Sequence, residues 1–227
     1  MKQSFEPTTR HDTKDRILDS AEQLFADQGF AATSLRQITT EANVNLAAVN
    51  YHFKSKESLL SAVIERTFAP INRRRMELLD ELEASSKTDR PDLEAAVRAF
   101  VRPAFEARSA NAESMRHFPR LMARIMAEPG DWAAPVMLPA LQAVSNRFMP
   151  IFQRAMGVEK RTTVLWGAQF SIGCMTRCLI APEFIQAITG ENQAQESMEQ
   201  MLDRVVCFIV GGMQALAERE KSLCIGA

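Results

Sequence analysis

The chain has 227 residues, with 27 Lys and Arg against 28 Asp and Glu, a formal net charge of −1 and 46% hydrophobic residues. That length suits one small and one larger domain. A near-neutral balance excludes a globally basic surface as the source of any anion affinity, and charges interrupt the apolar runs before they reach the roughly 20 residues of a membrane helix.

The N-terminal stretch MKQSFEPTTRHDTKDR is polar and has no apolar leader core, so residues 1–11 are expected to form a flexible arm. From residue 12 the pattern turns helical. Ile17, Leu18, Ala21, Leu24 and Phe25 share one face of a first helix, which Gly29 closes. Ser34-Leu35-Arg36-Gln37 is a capping box that opens a second helix, burying Leu35, Ile38 and Ala42. Asn43-Val44-Asn45 is a tight turn, with Asn45 as the cap of a very short third helix, Leu46 to Phe53. Val44, Val49 and Phe53 anchor that helix, and Ser55 caps a fourth whose apolar face begins at Leu59, Leu60 and Val63.

This order of capped helices around a short turn predicts a helix-turn-helix head. Leu46, Ala47, Ala48 and Asn50 face outward from the short helix and suit the edges of bases; Asn50 can pair with adenine. Tyr51, His52, Lys54 and Lys56, with Thr33 and Arg36 at the start of the second helix, suit phosphates. The stretch Val44 to Lys56 contains no acid, which supplies the positive bias locally. Tyr51 has a competing reading as a core residue.

Beyond residue 60 the chain continues as helices. The fourth runs on through Arg66 to Ala84, with Pro70 predicting a kink. A polar linker from Ser85 ends at Pro91, which opens a helix to about Arg108. Further helices are expected over Ser114–Glu128 (stopped by Pro129-Gly130), Ala134–Met156, Arg161–Ile180 (ended by Pro182) and Ala194–Glu220. The last two are apolar over most of their circumference, through Leu165, Trp166, Phe170, Ile172, Val205, Phe208, Ile209 and Met213. That predicts burial on more than one side, and Gly211-Gly212 would admit a second helix closely.

Methionines and aromatics crowd the middle helices. Phe100, Phe105, Met122, Met126, Phe148, Phe152, Trp166 and Phe170 are candidates to line an adaptable apolar pocket, against the plainer reading of each as core. Arg102, Arg116, Arg120, Arg124 and Arg177 are candidates to meet a ligand's acidic group. Arg177 is singled out because its helix is otherwise apolar.

Four cysteines show no zinc spacing, and Cys174 and Cys178 one turn apart read as ordinary reduced thiols in a cytoplasm. The three histidines, His11, His52 and His117, form no metal cluster. No nucleophile elbow, phosphate loop or ligand pair is present, so no catalytic residue, metal or cofactor is expected.

The segment Ile17 to Leu60 resembles the DNA-binding domain of the TetR family of bacterial regulators. The carrying residues are Ala21, Leu24, Phe25, Gly29, Phe30, Thr33, Ser34, Ile38, Ala42, Val44, Tyr51, His52, Phe53, Lys56, Leu59 and Leu60, with YHFKSKESLL close to the family's usual ending. Within it, NVNLAAVNYHF (Asn43 to Phe53) also resembles members that answer to fatty acids or their thioesters. The resemblance implies an all-α fold: an N-terminal three-helix DNA-binding domain with a helix-turn-helix (12–60), then a larger helical ligand-binding and dimerisation domain (61–227). It also implies a cytoplasmic homodimer formed through the last two long helices. Such a dimer would bind a double-stranded palindromic operator, answer to a small apolar ligand such as a long-chain acyl compound, need no membrane, and repress by default. The competing expectation is a helical carrier or adaptor for apolar ligands whose head no longer binds DNA.

Overall fold

The structure is a computed structural model that describes residues 13–86, 88–109, 117–128, 131–180 and 197–225. The arm 1–11, Arg116, the Pro129-Gly130 stop, Pro182 and the first residues of the expected Ala194–Glu220 helix lie outside the described residues. Among the described residues every regular element is a helix. In chain order these are α1 Thr13–Gln28, α2 Leu35–Glu41, α3 Leu46–Phe53, α4 Lys56–Ser85, α5 Leu93–Ser109, α6 Phe118–Ala127, α7 Ala133–Met156, α8 Arg161–Ile180 and α9 Met198–Ile225.

Two compact units emerge, one of Met1–Arg66 with Arg120–Met137 and one of Thr67–Pro119 with Leu138–Ala227. The division differs from the expected boundary after residue 60, and side chains explain why. The Glu128 carboxylate accepts from the backbone N–H groups of Phe30 at 2.9 Å and Ala31 at 3.0 Å. Trp132 stacks on Phe30 with centroids 4.5 Å apart. Arg120 meets Asp27 at 3.3 Å. Gly29, at φ +88°, is what admits this carboxylate, because a Cβ there would lie 1.8 Å from Glu128 Oε1.

In the first unit α1, α2 and α3 pack mutually. Ile17, Ala21, Phe25, Ile38, Val49, Phe53, Leu59 and Leu60 form its core, each 5% exposed or less. The expected local signals are present. Ser34 and Gln37 make both bonds of the capping box, and Asn45 Oδ1 accepts from the Ala48 N–H at 2.8 Å. Ser55 Oγ accepts from the Ser58 N–H at 3.1 Å. Arg66 ties α4 to α1 through Asp19 and the buried Glu22, each at 2.7 Å.

In the second unit α9 packs against α5 and α8. Leu202, Val206, Ile209 and Met213 form its buried stripe. One expectation needs correcting here. Met198–Ser222 is long and apolar enough, by length and composition, to cross a membrane. The reason is that α9 carries apolar residues for its own core and for an outward face as well.

The end of α9 is tied down by Glu220. Its carboxylate accepts from the N–H groups of Glu159 at 3.2 Å and Lys160 at 3.0 Å and from the Thr163 hydroxyl, at the positive end of α8. These bonds, the Thr163 hydroxyl first, hold its pKa below the usual carboxylate value. A lowered folded pKa means the contribution is complete at neutral pH. It fades as pH falls below the ordinary glutamate value of about 4.3 and is gone below the folded value. Thermal melts across that window should therefore lose part of their acid slope in Glu220→Gln.

Candidate functional site

α3 presents two faces. Val49 and Phe53 turn inward at 1% and 5% exposure. Leu46, Ala47, Asn50, Tyr51 and Lys54 are exposed, and Ala48 and His52 are half-buried. Tyr51 is 83% exposed, which answers the competing core reading. Its ring meets His52 edge-on with centroids 5.1 Å apart. Leu46, at 41% exposure, stands with Tyr51 on this outward face.

Lys54 closes α3 at φ +65° and ψ −44°, a sparsely populated conformation that costs on the order of 1–3 kcal/mol. Glycine would be easier for the backbone. A lysine held there at a cost is consistent with a role for its charge. Arg36 is likewise exposed, on α2.

Two of the expected phosphate contacts also bond within the fold. Thr33 is 1% exposed, and its hydroxyl donates within the α1–α2 turn, 2.7 Å from the Gly29 carbonyl and 3.2 Å from that of Leu24. Lys56 donates to the carbonyls of Phe30 at 2.8 Å and Thr33 at 2.9 Å, with its ammonium 4.3 Å from the Phe30 ring centre. Those carbonyls end one turn and precede another, so they lack helical donors and an ammonium satisfies both. Lys56→Met should lower stability by roughly 2 kcal/mol, since hydrogen bonds to a charged group are lost. Denaturant titration checks this; unchanged stability would return Lys56 to phosphate binding.

The expected ligand residues separate into three groups. Phe100, Phe148 and Phe152 come together in the second unit, with ring centroids 5.4–5.9 Å apart, and Phe105 is 2% exposed. Met122 is buried in the first unit, and the Met126 side chain lies outside the described residues. Trp166, Phe170 and Arg177 are not interior: Trp166 is 59% and Phe170 54% exposed, and Arg177 is exposed too. A helix apolar on both sides cannot reveal from sequence which side its own core takes.

Trp166 and Phe170 instead line an open groove of about 1060 Å³ between α8 and α9, with Cys174, Phe208, Gly212 and Leu216. Phe208 is 70% and Leu165 46% exposed on these helices. Of the other arginines expected to meet an acid, those among the described residues are occupied within the chain. Arg102 pairs with Glu106 at 3.0 Å and Glu199 at 3.4 Å, and Arg124 donates to the Asp27 carbonyl at 3.1 Å. Among the described residues no group of three or more His, Cys, Asp or Glu could hold a metal ion.

Comparison with known proteins gives two domain matches. Residues 17–63 match bacterial regulatory proteins of the tetR family, and residues 98–212 match the tetracyclin repressor-like C-terminal domain. The transcriptional repressor NicS of Pseudomonas putida is 35% identical over 89 residues, 39% of this chain and 38% of that protein. Among similar proteins with curated descriptions, the chain spans between 19% and 39% of their length. Two solved structures share the fold. The fatty acid degradation regulator FadR of Bacillus halodurans superposes with a TM-score of 0.62 at 13% identity, covering 90% of this chain and 98% of that one. The SmeT–triclosan complex gives 0.57 at 18%, covering 89% and 90%. SmeT is the repressor of the Stenotrophomonas maltophilia multidrug efflux pump SmeDEF.

Proposed function

Since this chain belongs to the TetR family of bacterial regulatory proteins, we propose that it is a ligand-responsive repressor of transcription that binds a palindromic operator as a homodimer in the cytoplasm. The observation that carries the reading is the outward face of α3, where Leu46, Ala47, Asn50, Tyr51 and Lys54 stand exposed on a helix anchored by Val49 and Phe53. Leu46, Ala47, Ala48 and Asn50 meet base edges; Tyr51, His52, Lys54 and Arg36 meet phosphates. Thr33 and Lys56 hold the turn that positions them.

One α3 reads too few base pairs to find a site in a genome. A two-fold dimer presents two, and the exposed apolar face of α8 and α9 is the surface that joins them. NicS and SmeT are repressors by name, which supports the sign of regulation. The triclosan complex of SmeT supports a body that accepts apolar molecules. One continuous helix, α4, contributes residues to both units, so a change in the body reaches the head through covalent structure. A ligand that weakens DNA binding must itself be weakened by DNA by the same coupling, typically about 1–3 kcal/mol.

Footprinting on genomic fragments tests the reading. Protection of an inverted repeat with half-sites about 34–36 Å apart, or slightly more, is the expected result. A protein with no salt-dependent, sequence-specific duplex binding would be the carrier or adaptor instead.

A further inference from the structure

The most unusual group in the second unit is Arg75 on α4, a guanidinium 2% exposed. Its Nε donates to the Phe100 carbonyl at 2.8 Å and its Nη1 to Asn72 Oδ1 at 3.0 Å. Asn72 is itself held, donating to the Ala140 carbonyl at 2.8 Å. The guanidinium lies 4.5 Å from the Phe100 ring centre. What Nη2 faces is the Met175 thioether, 3.7 Å away.

Five N–H donors thus meet two oxygens and one sulfur, a weak acceptor. Among the described residues no carboxylate forms an ion pair with Arg75, and burial alone lowers its pKa, to about 10. It therefore stays charged at neutral pH in an apolar core, an arrangement that is costly without a counter-charge.

We propose that the missing counter-charge is the free carboxylate of an amphiphilic acid. Its head group would take the place of the Met175 thioether against Arg75, and its chain would part the Phe100, Phe148 and Phe152 rings. This deepens the ligand-responsive reading above and rests on it. A single carboxylate is favoured over phosphate by charge balance, because Arg75 is the only buried cation among the described residues. A phosphate dianion, or the several phosphates of a coenzyme thioester, would leave negative charge uncompensated. A thioester also offers no charge at the acyl end. Planar two-point pairing with guanidinium suits a carboxylate, and Asn72 and Phe100 hold the fork in place for it.

Calorimetry on the full chain without DNA tests the proposal, with dodecanoate, dodecanol, acetate and dodecanoyl-coenzyme A as probes. Dodecanoate should bind, and the other three should bind at least about tenfold more weakly. Arg75→Met should cost dodecanoate tenfold or more and leave dodecanol unchanged. Met175→Glu supplies the carboxylate from within the chain, so it should raise the melting temperature and abolish dodecanoate binding. That variant decides the matter if Arg75→Met does not fold. Equal binding of dodecanol, no binding of dodecanoate, or full binding by Met175→Glu would overturn the proposal. The regulator reading fails separately: a chain that binds dodecanoate through Arg75 but protects no operator refutes only that reading, and one that protects an operator but ignores dodecanoate refutes only this one.

Discussion

Gly212→Trp is expected to convert the dimer into a monomer while leaving the chain folded. A Cβ at Gly212 meets nothing within 4 Å, so an indole there has room on the single chain. Tryptophan is also a better helix former than glycine by a few tenths of a kcal/mol. The same indole would stand in the groove lined by Trp166, Phe170 and Phe208, where a second copy's helices must close. An obligate interface of this kind removes on the order of 2,000 Å² or more from water, and a misplaced ring keeps its halves apart. Operator affinity should then fall by roughly 100-fold or more, because the second head no longer binds at high effective concentration. Sedimentation and operator titration on one preparation would show both effects. A variant that remains a tight dimer would move the interface elsewhere.

Tyr51→Phe should weaken the operator complex without touching the fold. The side chain is 83% exposed, so losing its hydroxyl removes nothing from the core. A hydrogen bond to a charged phosphate is worth about 1.5 kcal/mol or more, roughly tenfold in affinity. Two heads in one dimer act at independent sites, so the product approaches a hundredfold. The loss should be alike on all duplex sequences, since phosphates carry no base identity. Asn50→Ala is the contrasting variant, with an altered base preference at one position of each half-site. An unchanged affinity in Tyr51→Phe, or a lowered melting temperature, would remove Tyr51 from the phosphate contacts.

How much of this was legible in the sequence depends on the range of the interactions concerned. The caps at Ser34, Asn45 and Ser55, the closure at Gly29 and the inward pair Val49 and Phe53 act within a few residues of themselves. Local pattern therefore located them, and with them the helix-turn-helix and the outward face of α3. The Arg161–Ile180 helix was bounded correctly for the same reason. The bonds of Lys56 were not legible because its partners, the carbonyls of Phe30 and Thr33, are 26 and 23 residues away along the chain. Those of Thr33 lie within nine residues, but a threonine beside a helix cap reads equally well as facing solvent.

Arg75 shows the limit most clearly. It stands in the run Arg73-Arg74-Arg75, which reads as a solvated face, yet Phe68, Ile71, Arg75 and Leu79 recur at helical spacing and are all buried. The period was there to be seen. The identity of the residue argued against it, because a guanidinium belongs in water unless something distant compensates it. By itself the sequence determined that the described segments are helical and where the capped helices of the head begin, since capping and amphipathic period are short-range physics; the uncapped helix expected from Ser114 begins instead at Phe118. Tertiary structure alone decided that Glu128 closes over the α1–α2 turn, bonding to Phe30 from 98 residues away, and which side of the doubly apolar α8 and α9 stays open. It also decided that, among the described residues, one arginine is buried with no acid paired to it. Each of these depends on which surfaces exclude water together, and no local pattern encodes that.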